Sequence, residues 1–541
     1  MNRTMLWMLA ALCAASAAAQ PLSDAERVAI LGMLSAEKPH YADVRTELNH
    51  TTDPLGSTPG YRLLGYMPSR RSCDVGKSIL GIGYETLDRR TFDPKWTFPL
   101  VGGLGVKYAR CQTGWMRCET ERGKYDFGWL DEVVDGLAAE GVSTWLSLGF
   151  GNPLYTPCEK FEEQWKEAKA KGTVVPGWAR GWVGESPWYH GEAAMKGWLA
   201  YVQALARHFK GRVKVFEIWN EPEFFWCKDN VQAEKLFGVK RSAADFAAFA
   251  RATAAAVREE IPDAEFAFNL AYVSSGWMPA LAEAGIGETA DIFCYHGYGR
   301  TVEESPRTTI AQAKALFRKP DGTPVRVWQG ESGRATGKSR LYAFPSPYAQ
   351  AKFIARRVLT DLREGAELSS IFTVTDFLAY YPDGSDQFYG IIDGKTHLPK
   401  LGYRTLQAMA YLFDGLELAP EYNILFTSCD GREFTPQDAY RTERAAMKRK
   451  GVPVFAWWRA EHLEISAAPV FGCLRFVTGS ERCLIPDPIV IDPVRRKVWD
   501  VKGRLCRTDR GIDDIRPAWA LDYPLVLTDL SVFREGGNLL K

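Results

Sequence analysis

Two glutamates in this chain stand where an apolar run stops. One lies in "VFEIWNEPEFFW" (215–226), where the run leads into Asn220-Glu221-Pro222; the other closes "VRVWQGESG" (325–333) at Glu331. A carboxyl at the end of a buried strand is costly unless a cation pairs with it or it opens on a cleft. A single such glutamate is commonly half of an ion pair. Two of them, each beside tryptophan or glycine, are the equipment for acid-assisted cleavage of a glycosidic bond, in which one carboxyl protonates the leaving oxygen and the other attacks the sugar or activates water. A separation of about 5–5.5 Å marks the double-displacement form of that chemistry.

Both runs belong to a series. Short apolar stretches at 79–84, 105–110, 143–149, 213–219, 266–271, 291–296, 325–329 and 369–375 alternate with amphipathic segments such as "GWLDEVVDGLAAEG", "GWLAYVQALARHF", "SAADFAAFARATAAAVREE" and "YAQAKFIARRVLTDLREG". Eight near-continuous apolar strands separated by helices are the pattern of a (β/α)8 barrel. No glycine fingerprint for phosphate follows the first strand, which argues against a doubly wound sheet. In a barrel, Glu221 ends the fourth strand and Glu331 the seventh, so both reach the C-terminal mouth from different sides of the ring.

Around this barrel (79–414) the sequence predicts three other parts. Residues 1–19 carry Arg3, an apolar run from Met5 and Ala17-Ala18-Ala19 before Gln20, the form of a secretory leader. Residues 20–78 are a lead-in with a Ser23/Glu26 capping box. From 415 to 541 strand patterns such as "VPVFAWW" and "YPLVLTDLSVF" predict a β-sandwich, to which segments within 40–66 contribute. The charged run at 441–451 reads as a solvated helix face.

A net charge of +1 over 541 residues gives no field that would gather nucleic acid or a membrane surface. Later stretches fall short of the roughly 18 apolar residues of a spanning helix. With the leader, this predicts a secreted or periplasmic protein. Of eleven cysteines, Cys13 leaves with the leader. Spacing allows the pairs Cys111–Cys118, Cys473–Cys483 and Cys158–Cys227, while Cys294 reads as a buried thiol. The sequence has seven His and no HExxH or CxxC motif, so neither cofactor nor metal is expected. Asn49-His50-Thr51 is a glycosylation sequon.

The two glutamate motifs, with "KYARCQTGW", "RGKYDFGWLDEVVDGL", "FGNPLYTP", "DIFCYHGY" and "FYGIIDGKTHLPKLGYRTLQAM", resemble the clan A glycoside hydrolases, most closely the family 39 type of β-xylosidases and iduronidases. The resemblance runs from about 78 to 415. It implies a retaining β-glycosidase acting on an oligo- or polysaccharide, with Glu221 as acid/base and Glu331 as nucleophile. It further implies that Asn220 bonds the sugar 2-hydroxyl, that His296 and Tyr298 orient the nucleophile, and that Arg110 supplies positive charge to it. Trp328 and Asp376 are expected to line the substrate pocket. The clan places a tryptophan at the end of the eighth strand, where this chain reads "FTVTDFLAYY"; Asp376, Tyr380 or Tyr381 is the expected substitute. Two other functions share the pattern: an endo-acting β-glucanase or galactanase, and a carbohydrate-binding barrel without activity. The long loop at 151–190, with Tyr155, Trp165, Trp178, Trp182, Trp188, Tyr189 and His190, either lines substrate subsites or packs a small core of its own. Arg334, Lys338 and Arg340 follow Glu331 and would reach an anionic sugar if they face the cleft.

Overall fold

The structure is a computed structural model. It describes residues 21–34, 53–157, 185–226, 233–271, 276–299, 302–339, 345–381, 383–428, 442–463, 467–478, 485–507 and 513–534, with a few single positions between them. The leader, the sequon, Cys158, Cys227, Cys483, Trp165, Trp178, Trp182 and Arg340 lie outside the described residues.

The chain enters through the helix Asp24–Met33. Its capping box is formed as the sequence predicts: Glu26 N–H donates to Ser23 Oγ at 3.3 Å and Ser23 N–H to Glu26 Oε2 at 2.8 Å. A strand, β1 (Arg62–Tyr66), follows. The next eight strands close a parallel barrel: β2 (Leu80–Gly83), β3 (Tyr108–Gln112), β4 (Ser143–Leu148), β5 (Val215–Ile218), β6 (Glu265–Leu270), β7 (Ile292–His296), β8 (Arg326–Ser332) and β9 (Ser369–Ile371). Closure is made by β2 against β9, with Leu80 opposite Ser369 and Ile82 opposite Ile371. Every strand read from the sequence is present. The eighth stops at Ile371, four residues short of the predicted end.

Helices such as Gly128–Ala139, Glu192–Phe209, Val239–Arg258, Pro347–Glu364 and Leu401–Phe413 wrap the barrel, each with an apolar stripe against the strands. Among the described residues no helix is long and apolar enough to cross a membrane.

Past the barrel, the described residues contain ten strands that, with β1, build two antiparallel sheets. They are β10 (Leu416–Leu418), β11 (Asn423–Thr427), β12 (Thr442–Arg449), β13 (Val452–Arg459), β14 (Val470–Val477), β15 (Pro488–Asp492), β16 (Lys497–Asp500), β17 (Leu505–Arg507), β18 (Asp513–Ala520) and β19 (Leu525–Asp529). One sheet runs β1-β16-β15-β19-β13-β12-β10 and the other β11-β14-β18-β17, so the N-terminal β1 does join the sandwich. The central strands of the larger sheet, β15, β19 and β13, are buried on both faces. Val454, Ala456 and Trp458 of β13 join the barrel-side core, while Phe455 and Trp457 point into the core between the sheets. This is why "VPVFAWW" reads as unbroken apolar sequence. A buried ion pair and a buried hydrogen bond tie the two parts together: Lys352 of the helix Pro347–Glu364 reaches Asp522 at 2.7 Å, and Trp458 Nε1 donates to Glu303 at 2.8 Å.

Two expectations are corrected. The run at 441–451 is not a helix face: β12 spans most of it, because Glu443, Ala445, Met447 and Arg449 alternate inward with period two. Cys111 and Cys118 are separate buried thiols. The turn at Trp115–Cys118 aims Cys118 Sγ at the carbonyl of Thr113, 3.2 Å away, and not at Cys111. Cys294 is a buried thiol, as expected.

Candidate active site

The site is organised by one guanidinium. Arg110, on β3, is fully buried inside the barrel. Its Nε donates to Glu217 Oε2 at 3.0 Å, and Nη2 bonds Glu217 Oε1 and, at 2.8 Å, Asn220 Oδ1. Nη1 serves Glu331 Oε2 at 2.7 Å and Glu85 Oε1 at 3.3 Å. A charge at this depth survives only because it is paired and bonded on several sides. Burial alone would raise the Glu217 carboxyl, but Arg110 outweighs it and holds Glu217 below the usual range.

Glu331 lies beside His296 across the β7–β8 register, at an irregularity in that pairing. In a regular strand Trp328 and Glu331, three apart, would face opposite sides. The extra residue, Gly330, lets both face inward. A Cβ there would press on Cys294 at 3.2 Å. Tyr298 O–H donates to Glu331 Oε1 at 2.8 Å, so each oxygen of this carboxylate has a fixed donor.

Glu221 is positioned by strained backbone. Trp219 and Glu221 have φ of +62° and +46°, a region L-residues enter only when neighbours enforce it. The enforcing residue is Asn269 on β6. Its Oδ1 accepts from Glu221 N–H at 2.7 Å, and its Nδ2 donates to the Trp219 carbonyl at 3.0 Å and to Glu217. Ser147 Oγ adds a bond to the same carbonyl at 3.3 Å. Asn269→Ala is expected to cost about 1–3 kcal/mol, because buried partners lose their bonds. It should also lower turnover by about tenfold or more as Glu221 drifts. Thermal melts and turnover measured together check this; an unchanged turnover would remove Asn269 from the account.

The two carboxylates differ in environment. His296 Nδ1 lies 2.7 Å from Glu221 Oε1 and 3.8 Å from Glu331 Oε2. The histidine therefore serves Glu221, whereas the resemblance had placed it on Glu331. Burial lowers His296 to about 4, so the imidazole is neutral near pH 7. Burial pushes Glu221 up to about 7, with Arg110 pulling down and Glu217 pushing up. The side chains of Glu221 and Glu331 are nevertheless 14% and 11% exposed, so solvent or substrate reaches both. One oxygen of each, together with His296 Nδ1, fall within 4.8 Å of one another. Such a trio could also hold a metal ion, but its donor atoms already bond one another, Arg110 and Tyr298, and the guanidinium opposes a second cation there.

Asn220, Arg110, His296, Tyr298, Glu221 and Glu331 thus come together at the mouth. Trp328 does not. It packs on Trp145 and Tyr108 in a separate apolar cluster in the barrel interior, centroids 5.6 and 6.4 Å away. Asp376 is also elsewhere. It is buried in an ion pair with Lys400 at 2.7 Å and accepts from Gly390 N–H at 3.0 Å. Because β9 ends at Ile371, the residue after the strand is Phe372, whose ring packs edge-on to Tyr298 at 6.2 Å. Phe372 occupies the place where the sequence reading sought Asp376 or a tyrosine. Tyr380 accepts from the buried Arg89 at 2.8 Å. Beyond Glu331, Arg334 is buried and stacks over Tyr342, while Lys338 is exposed. The described aromatics of the 151–190 loop pack inward: Tyr155 stacks on Trp115 and donates to Glu119 at 2.7 Å, and Tyr189 packs against Trp226 and Phe237.

Sequence reasoning missed Glu217, Asn269 and Glu85. The signal was present, since a Glu and an Asn interrupt otherwise apolar strands at "VFEIW" and "FAFNLA", where an unpaired polar group is not tolerated.

Comparison with known proteins bears on the same region. Residues 97–237 match the model of glycoside hydrolase family 42, described as β-galactosidase. β-Galactosidase BbgII of Bifidobacterium bifidum is 31% identical over 114 residues, 21% of this chain. The match spans only 16% of the length of that relative. Among solved structures, a family 39 glycoside hydrolase from Bacteroides cellulosilyticus WH2 superposes with a TM-score of 0.58 at 15% identity, covering 86% of this chain and 83% of the other. A β-galactosidase from the haloarchaeon Halorubrum lacusprofundi gives 0.42 at 17% identity over 62% and 58% of the two chains. Over residues 97–237, then, the barrel of this chain is similar to the glycoside hydrolases of family 42, described as β-galactosidase.

Proposed function

We propose that this chain is a retaining β-glycosidase, with β-galactosides as the first substrates to test. One observation carries the reading: two carboxylates within 4.8 Å of each other, one raised to about 7 and the other bonded to a buried arginine. Inverting enzymes hold their carboxyls about 6.5–9.5 Å apart to admit a water. Here Glu331 would attack the anomeric carbon while Glu221 protonates the leaving oxygen. Glu221, then a carboxylate, would take a proton from the water that releases the sugar. Asn220, accepting from Arg110 through Oδ1, presents its Nδ2 to the sugar 2-hydroxyl. The match to a family described as β-galactosidase, and the similarity to BbgII, favour galactose over other sugars. Export through the residue 1–19 leader is part of the proposal; N-terminal sequencing of the exported chain would begin at Gln20.

Hydrolysis of aryl β-galactosides, beside β-xylosides and β-glucosides, followed by NMR of the first-formed anomer, tests the reading. The β-anomer should appear first. An α-anomer first, or no hydrolysis of any member, would overturn it. The pH profile adds a second expectation. Glu221 must carry a proton, so kcat/KM should fall about tenfold per pH unit once the pH passes roughly 7. With an activated leaving group, Glu221→Gln should remove that alkaline limb. If the limb stays where it was, another group is the acid.

A further inference from the structure

A third carboxyl belongs to the active site and has no assigned part in the reaction. Glu85 follows β2 by two residues and is 1% exposed. Its carboxyl folds back over Gly83, whose missing side chain leaves the room: a Cβ at 83 would overlap Glu85 Oε2. Oε1 accepts from Arg110 Nη1 at 3.3 Å, the nitrogen that also holds Glu331 at 2.7 Å. Oε2 is buried and has no hydrogen-bond partner among the described residues.

Charge counting decides its state. Arg110 already faces the carboxylates of Glu217 and Glu331. A third anion on the same guanidinium, with one oxygen lacking any donor, would bear both like-charge repulsion and uncompensated desolvation. A neutral carboxylic acid escapes the repulsion and most of the desolvation cost of a charge, and still accepts one bond through its carbonyl oxygen. Cases are known in which an apolar site keeps a carboxylic acid protonated so that it can serve an active site. The groups bearing on Glu85 are Arg110 and Cys111 from β3, Glu331 from β8, its own backbone N–H, and Glu217 across the guanidinium; Arg110 is the cation in direct contact. Burial pushes Glu85 up to about 8, against the pull of Arg110 and with a push from Glu331, which agrees with the count.

We propose that Glu85 is a positioning residue of this active site: an uncharged carboxylic acid that occupies the second hydrogen of Arg110 Nη1 and so fixes the direction in which the guanidinium meets Glu331. The proposal rests on the glycosidase reading above for its kinetic consequence, but not for the protonation state itself.

Three variants separate the possibilities. Glu85→Gln keeps the shape, the acceptor and the zero charge. It should hold kcat within about threefold, with both limbs of the pH profile unmoved. Glu85→Ala removes the acceptor and opens a void beside Arg110; kcat should fall about 10- to 100-fold with KM changed far less, as expected when geometry and not affinity is lost. Gly83→Ala, which expels the Glu85 carboxyl without touching its chemistry, should resemble Glu85→Ala. A Gln variant as impaired as the Ala variant, with a displaced pH profile, would mean that Glu85 works as an anion and would overturn the proposal. So would wild-type turnover in Glu85→Ala. Infrared difference spectra at pH 7 give an answer independent of activity and of how well the Ala variant folds. In a Glu221→Gln background, the carbonyl band of a protonated carboxylic acid should disappear when Glu85→Gln is added. If that band is present but the wild-type enzyme cleaves no glycoside, the functional reading fails and the state of Glu85 stands. If no such band exists, the proposal fails whatever the activity.

Discussion

Replacing Glu331 with alanine should lower turnover of every substrate by about 10⁴-fold or more, the scale of removing a covalent nucleophile. Both oxygens of this carboxylate are held, one by Arg110 at 2.7 Å and one by Tyr298 at 2.8 Å, so it cannot swing away from the sugar and no neighbour can take its place. The companion variant, Glu221→Ala, behaves differently if the roles are correct. It should lose about 10²–10⁴-fold on substrates with poor leaving groups, which need a proton, and far less on activated aryl glycosides. Azide should restore the second variant and yield a β-glycosyl azide, because the small anion enters the space Glu221 vacates and attacks the glycosyl-enzyme. Mass spectrometry with a slow fluorosugar substrate should place the covalent label on Glu331. A Glu331→Ala protein with full activity, or a label on another residue, would end the assignment.

The second large effect concerns Arg110. Arg110→Met keeps the bulk and removes the charge, leaving Glu217 buried with no cation and Glu331 with only Tyr298. Breaking a buried pair from one side typically costs about 3–5 kcal/mol, since the abandoned charge stays in low dielectric. Stability at neutral pH should fall by that order. Part of it should return on acidification: Arg110 is the largest influence holding Glu217 below its usual range against burial, so without it protonation relieves the buried charge. The sign is opposite to that of an ordinary salt bridge, which weakens as pH falls. Turnover should drop at least about 100-fold even where the variant is folded, because Asn220 and Glu331 lose a common anchor. Urea titrations at two pH values, beside turnover, check both parts. A variant as stable as wild type at neutral pH would show that the Arg110 network contributes only geometry.

Much of the architecture was written locally. Eight apolar runs of strand length, separated by helices with apolar stripes, are each decided by short-range periodicity. The barrel and the strand-end position of Glu221 and Glu331 follow from it. The helix start at Ser23 is equally local, as the capping box needs only residues three apart.

What the sequence left open depends on register. Alternation along a strand tells which side chains face the barrel interior, but not at what height they sit or which neighbours they meet. Those are set by how each strand is staggered against the next, and by single irregularities. Gly330 is one such irregularity: the extra residue in β8 brings Trp328 and Glu331 to the same face, and the three-residue step along the strand then puts the tryptophan in the core and the carboxylate at the mouth. The early end of β9 is another, for it carries Asp376 to Lys400 and puts Phe372 beside Tyr298. His296 also needed the tertiary structure, since only the β7–β8 pairing and the left-handed turn at Glu221 bring its Nδ1 to that carboxyl and not to Glu331. Glu85, Glu217 and Asn269 were visible as polar residues in or beside apolar strands, and local sequence could say only that each must find a partner. That all three converge on Arg110 or on the turn it supports is decided by barrel closure, because a partner drawn from four different strands exists only once the ring is complete.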